Sequence, residues 1–114
     1  MIIKIPLIDI KLFINIGNEG LKEYNKQIKD IEEAWSNRSN VLGLQYTNHI
    51  YIENFNDNEV IFHEVTHFLE WLYEYIGCKD ESEFKAYIGG YVIDKILKLK
   101  ENKWQHGNTA KSRA

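Results

Sequence analysis

Alternating apolar and polar positions near the N-terminus predict a β-strand with one buried face. Five aliphatic residues recur at every second position from 8 to 16, namely Ile8, Ile10, Leu12, Ile14 and Ile16, and this is the period of a half-buried strand. Residues 2–5 are also strand material, and Pro6 marks an edge or a break. Residues 41–46 and 50–53 predict two more strands, joined in a hairpin around Thr47-Asn48.

Helical spacing predicts three helices. The residues Gly17-Asn18-Glu19-Gly20 predict a turn, and after it apolar residues at helical spacing predict a helix to about residue 36: Leu21, Tyr24, Ile28, Ile31 and Trp35. A second helix is predicted over 57–76, and Gly77 is suited to its C-terminal end. At its start, Asn56 is predicted as N-cap in a capping box with Glu59. Phe55 and Val60 are predicted to form a hydrophobic staple. A third helix should run from about 80 to 100.

This order of elements predicts the α+β fold class. We expect a short antiparallel or mixed sheet covered by helices on one face, with the second helix central. Gly89-Gly90 in the third helix suggests close approach to a neighbouring helix. Residues 1–101 should form a single domain, and residues 102–114 should form a flexible polar tail.

Composition excludes several classes of protein. The 114 residues carry a net charge of −3, which argues against a general nucleic-acid-binding surface. A single cysteine, Cys78, excludes an intramolecular disulfide and a cysteine-based zinc cluster. No apolar stretch reaches the length of a membrane span and no basic leader precedes the first strand. The protein is therefore expected in the cytoplasm, without a membrane or nucleic-acid partner.

The second helix carries the residues that indicate chemistry, His63-Glu64-Val65-Thr66-His67. Histidines four residues apart share a helix face and can bind one cation. The glutamate after the first histidine can take a proton from a metal-bound water. The spacing makes zinc-dependent peptide hydrolysis the leading hypothesis, with His63 and His67 as ligands of Zn²⁺ and Glu64 as general base.

Glu83 is the candidate for a third zinc ligand, because catalytic zinc usually has three protein ligands and one open position. The short connection at 77–80 makes the second and third helices neighbours, and helical winding puts Glu83, Tyr87, Gly90 and Asp94 on one stripe. The alternative is that Glu83 only caps its own helix together with Asp80.

A developing oxyanion would need a second donor, and Tyr87 is the first candidate because it lies one turn beyond Glu83. Tyr91 and His49 are weaker candidates, and for each tyrosine a packing role is the alternative. Asp94 is a candidate partner for the second ring nitrogen of a ligand histidine.

The pattern His63-Glu64-x-x-His67 followed by Glu83-x-x-Ala86 resembles the gluzincins, zinc metallopeptidases whose third ligand is a glutamate on a later helix. The small size and the strand before the motif helix are similar to the ImmA/IrrE type and to minimal zincin-like proteins of phages and prophages. The resemblance covers about residues 41–100. It implies a zincin-like domain, His63, His67 and Glu83 as zinc ligands, Glu64 as general base and a peptide or protein substrate. Thr66 departs from the ImmA/IrrE pattern, which has a glycine there.

Two other functions remain open. One is a phage or prophage protein that binds a host-defence factor on a zincin scaffold, with little or no protease activity, in the cytoplasm of a bacterium or an infected host. The other is a regulator directed at a repressor, as the ImmA/IrrE resemblance implies. An intact general base favours the enzyme, because a purely structural metal site has no use for Glu64.

Overall fold

A four-stranded mixed sheet forms the centre of the molecule in the computed structural model. The structure describes the backbone of residues 1–6, 8–32, 36–77 and 82–113. It describes the side chains of the same residues except 82–84 and 102–113. The strands are β1 (Ile2–Lys4), β2 (Lys11–Ile16), β3 (Gly43–Tyr46) and β4 (His49–Ile52), in the spatial order β1-β2-β4-β3. The two outer pairs are antiparallel, whereas β2 and β4 are parallel. With three helices, α1 (Gly17–Ile31), α2 (Asn58–Tyr75) and α3 (Ser82–Arg113), the α+β class is confirmed.

Helices cover both faces of the sheet, so the prediction of helices on one face is wrong. All four residues of β4 are buried, and consecutive residues point to opposite faces. Tyr51 packs with Tyr24 and Ile28 of α1 on one face. Ile50 and Ile52 pack on the other face, against α2 and α3. The parallel β2–β4 pair explains the second layer, because parallel strands need a crossover and α1 provides it.

The glycines at 17 and 20 form a strand-to-helix junction instead of the predicted turn. Helix α1 begins at Gly17 directly after β2, and Gly17 has a φ of +75°. A Cβ on Gly20 would lie 2.7 Å from the carbonyl carbon of Asn15. Helix α1 ends at Ile31, and Trp35, predicted to be part of it, lies outside the described residues. The predicted strand 8–16 is confirmed only from Lys11 onward.

The predicted hairpin is confirmed. Strands β3 and β4 are joined by the two residues Thr47 and Asn48, and Thr47 has a φ of +49°, which a tight turn requires. Strand β4 has β2 on one side and β3 on the other, so β3 is one edge strand of the described sheet and β1 is the other.

Helix α2 carries the motif and begins one residue later than expected. The N-cap is Asp57, whose Oδ1 accepts a hydrogen bond from the Val60 backbone N–H at 3.2 Å. The predicted cap at Asn56 is wrong, and with it the capping box, since Asn56 instead donates its backbone N–H to Asn54 Oδ1. Phe55 and Val60 both pack against the same core cluster, and a direct contact between them stays a prediction. Gly77, with a φ of +71°, follows the helix as predicted.

Helix α3 packs antiparallel to α2 across a glycine. A Cβ on Gly89 would lie 3.1 Å from Leu69 Cδ1, which confirms the predicted close approach at that residue, while Gly90 faces open space. The backbone of α3 continues to Arg113, through the segment predicted as a tail, whose flexibility stays a prediction. Asp80 lies outside the described residues. No helix in the described part of the chain is long and apolar enough to cross a membrane.

Candidate metal and catalytic site

His63 and His67 converge on one point above the exposed face of α2. Their Nε2 atoms lie 3.2 Å apart, and their rings meet edge to face with centroids 4.6 Å apart. The His63 side chain is 68% exposed and that of His67 is 47% exposed. The α-helical spacing predicted from the sequence therefore does bring the two rings to a common, accessible point.

The distance between the two nitrogens fits a zinc ion. Nitrogens that each coordinate Zn²⁺ at about 2.0–2.1 Å with a tetrahedral angle between them lie about 3.3 Å apart. The observed separation of 3.2 Å matches that value. The spacing of the two nitrogens therefore suits a shared tetrahedral cation, and it is also the length of an N–H···N hydrogen bond between the two rings.

Glu64 points away from solvent beside this pair. Its side chain is 7% exposed, and Oε1 lies 3.8 Å from Nε2 of His63. Among the described residues, Oε2 has no hydrogen-bond partner although it is buried. Burial raises the pKa of the carboxyl, and the two histidines partly oppose that rise. The carboxylate therefore has one oxygen, Oε1, beside His63 and a second, Oε2, that is buried without a described partner.

The edge strand β3 packs directly on α2 beside Glu64. A Cβ on Gly43 would lie 2.7 Å from Val60 Cγ1 and 3.0 Å from Glu64 Cγ. An open cavity of about 560 Å³ lies between strand and helix. It is lined by residues of the strand, the helix cap and the motif: Val41, Leu42, Gly43, Asp57, Glu59, Val60, His63 and Glu64.

The hydrogen-bonding pattern of the hairpin leaves alternate backbone groups of β3 without a partner strand in the described sheet. The Glu53 N–H donates to the carbonyl oxygen of Leu42 at 3.0 Å, so residue 42 is bonded towards β4. In an antiparallel ladder the neighbours of such a residue point the other way. The N–H and C=O groups of Gly43 and Gln45 therefore point out from the sheet edge. Of the two segments predicted to supply an open edge, β3 does so and β4 does not.

Glu70 is a functional candidate that the sequence reading missed. Its Oε2 lies 3.7 Å from Nδ1 of His67, one turn further along α2. A carboxylate beside Nδ1 favours the tautomer that carries its proton there and leaves Nε2 free for a metal. The i, i+3 spacing could have revealed it. The predicted partner, Asp94, forms an ion pair with Lys98 at 3.0 Å instead.

The ligand role of Glu83 stays a prediction, because its side chain lies outside the described part of the structure. Its backbone is in the first turn of α3. Lys85 lies over the ring of Tyr73 and Gly89 lies against Leu69, so position 83 is level with the C-terminal end of α2. That is about two helical turns, or roughly 12 Å, from His67 along the axis. The side chains that the structure does describe, which exclude Glu83, contain no group of three potential metal ligands.

The candidates for an oxyanion donor are dispersed. Tyr87 is 56% exposed on α3 and is not among the residues that line the cavity beside His63, so its role stays a prediction. Tyr91 lines a different hollow, against β1. His49 is buried against α1, where its Nδ1 lies 2.9 Å from Gln27 Oε1. That is the face of the sheet opposite α2, so the weaker assignment to His49 is wrong.

Neither a protein-family model, nor a curated protein, nor a solved structure matches this chain. The likeness to gluzincins therefore rests on the motif residues of the sequence alone.

Proposed function

We propose that this protein is a zinc-dependent hydrolase of peptide bonds, a minimal metallopeptidase with His63 and His67 as metal ligands and Glu64 as general base. The observation that carries the proposal is the pairing of two converged Nε2 atoms, 3.2 Å apart, with a buried carboxylate whose Oε1 is 3.8 Å from one of them. A structural metal site would use the histidines but would not need an unpartnered carboxylate beside them.

The third ligand in this proposal is Glu83, as the resemblance to gluzincins implies. Because its backbone lies roughly 12 Å from His67 along α2, this role requires the first turn of α3 to move towards the motif when the metal binds. When bound, zinc lowers the pKa of water from about 15.7 to about 7 and polarises the carbonyl of the substrate. The raised pKa of Glu64 suits a group that accepts a proton from water and then gives it to the leaving amine. Glu70 would hold the proton of His67 on Nδ1.

The substrate would bind as an extended strand along β3. The outward backbone groups of Gly43 and Gln45 can bond to a peptide in the manner of an added strand. Such a peptide would pass over the cavity that Glu64 and His63 line. Its side chains would meet the half-buried Val41 and Val60 and the carboxylates of Asp57 and Glu59. Because the cavity beside β3 is open to solvent, we expect the substrate to be an extended segment of a protein in the cytoplasm.

Metal analysis combined with three variants tests the proposal. Purified protein dialysed against Zn²⁺ should retain one equivalent, and His67→Ala and Glu83→Gln should each weaken retention. Glu64→Gln should keep the zinc and lose hydrolysis of a peptide library followed by mass spectrometry. Absence of zinc binding in the unaltered protein would refute the proposal. If zinc-bound protein captures a partner equally well before and after Glu64→Gln and cleaves nothing, the function is that of a binding protein, as expected of the phage-encoded alternative.

A further inference from the structure

Gly43 occupies a place in β3 where a side chain would collide with the candidate general base. An added Cβ would lie 2.7 Å from Val60 Cγ1, 3.0 Å from Glu64 Cγ and 3.3 Å from Glu64 Cδ. The first two atoms belong to consecutive turns of α2, so the strand backbone rests in the groove between them. Glycine in the interior of a strand often marks such a close backbone approach.

The need for glycine here is steric and not conformational. Gly17 and Gly77 have positive φ angles, whereas Gly43 does not. Alanine could therefore adopt the backbone of Gly43 without strain, and only the space taken by Val60 and Glu64 opposes it. That separates the effect of the missing Cβ from any effect on the hairpin itself.

The same residue presents its backbone N–H and C=O outward at the sheet edge, as the bonding of Leu42 to Glu53 requires. Gly43 thus has the open edge on one side and the Glu64 carboxyl group on the other. No other described glycine has a would-be Cβ within 4 Å of a motif residue.

We propose that Gly43 is a positioning residue, which sets the distance between the Glu64 carboxylate and the strand edge on which a substrate backbone lies. The inference rests on the proposed function. By leaving out a side chain, Gly43 lets the edge strand lie directly against Glu64. A bulkier residue would push the carboxyl group, the strand or both away from their present positions.

The test compares Gly43→Ala, Val60→Ala and the double variant Gly43→Ala/Val60→Ala. Displacement of a catalytic group by about 1 Å can cost about 100-fold in rate, so Gly43→Ala should lower kcat by about 10- to 100-fold with little change in KM or zinc retention. Val60→Ala removes the closest contact but not the two to Glu64, so the double variant should regain melting temperature without regaining kcat. Gly89→Ala, whose Cβ would meet only Leu69 Cδ1 at 3.1 Å, is the matched control and should leave kcat unchanged.

A second measurement does not depend on hydrolysis. The loss of melting temperature caused by Gly43→Ala should be smaller in a Glu64→Ala background than in the unaltered protein, because the Glu64 side chain is part of the collision. An equal loss in both backgrounds, or a double variant whose kcat matches that of Val60→Ala alone, would overturn the positioning role. If the unaltered protein cleaves no peptide, the proposed function fails, while the comparison of melting temperatures still decides whether Gly43 positions Glu64.

Discussion

Replacing Glu64 with methionine should stabilise the metal-free protein. The carboxylate is 7% exposed, and its Oε2 has no hydrogen-bond partner among the described residues. A buried polar group without a partner costs about 1–3 kcal/mol, and a charged one costs more. Methionine has a similar length and no charge, so it should recover at least part of that cost. For a domain of this size about 1 kcal/mol corresponds to roughly 4 °C, which gives an increase in melting temperature of roughly 4–12 °C.

Thermal unfolding followed by circular dichroism at pH 7 with a chelator would measure the effect. The control is Glu70→Met on the same helix, because the Glu70 side chain is 58% exposed and its pairing with His67 is a surface contact. Such a pair contributes about 0–1 kcal/mol, so the control should be neutral or slightly destabilised. If Glu64→Met melts at or below the melting temperature of the unaltered protein, the buried carboxylate does not destabilise the fold. The inference that Glu64 is kept for its chemistry at a cost in stability would then be wrong.

Three further predictions concern the metal, the sheet edge and the dependence on pH. Glu70→Gln should weaken zinc retention several-fold without changing the fold, since it removes the charge beside Nδ1 of His67. Competition with a chromophoric chelator would measure the zinc affinity, and an unchanged affinity would show that Glu70 is not part of the site. Gln45→Pro should keep the fold but lose binding of a cleaved peptide, because the N–H that it removes points out from the sheet edge. The control Leu44→Pro removes an N–H directed at β4 and should disrupt the hairpin. Equal peptide binding by Gln45→Pro and the unaltered protein would argue against strand addition. Burial lowers the pKa of His49 below its usual value near 6.5. The stability that the neutral ring contributes should therefore be present above about pH 6.5 and be lost as the pH falls through the lowered pKa. Chemical denaturation at several pH values should show a weaker loss for His49→Gln, and an identical pH dependence of both proteins would contradict this.

The parts of the site that could be predicted from sequence are those set by local spacing. Residues four apart on a helix share a face whatever the rest of the chain does, and so the convergence of His63 and His67 followed from the motif. The two-residue turn at 47–48 limited the hairpin to one register for the same reason. The N-cap was displaced by one position because Asn56 and Asp57 are both good caps, and only the backbone course decides between them.

The parts that could not be predicted depend on contacts between distant segments. The burial of Glu64 arises from the packing of β3 on α2, a contact across 21 positions that the helix pattern does not encode. Glycine within a strand was the available signal, and it indicates a close approach without naming the partner. The parallel pairing of β2 with β4 was hidden too, because β4 follows β3 in the chain and its four residues are too few to show that both faces are buried.

The negative charge of Glu64 acts on a buried tyrosine of the core as well as on the candidate metal site. Burial raises the pKa of the Tyr24 hydroxyl far above its usual value, and the nearby Glu64 charge raises it further. Burial likewise raises the pKa of the Glu64 carboxyl, so the ionised form of that group is costly before a metal binds. A cation held by His63 and His67 would place positive charge beside the same carboxylate and turn that cost into an attraction. Metal binding and the ionisation of the general base would then favour each other, so that the metal-loaded protein would be the one in which Glu64 is ready to accept a proton.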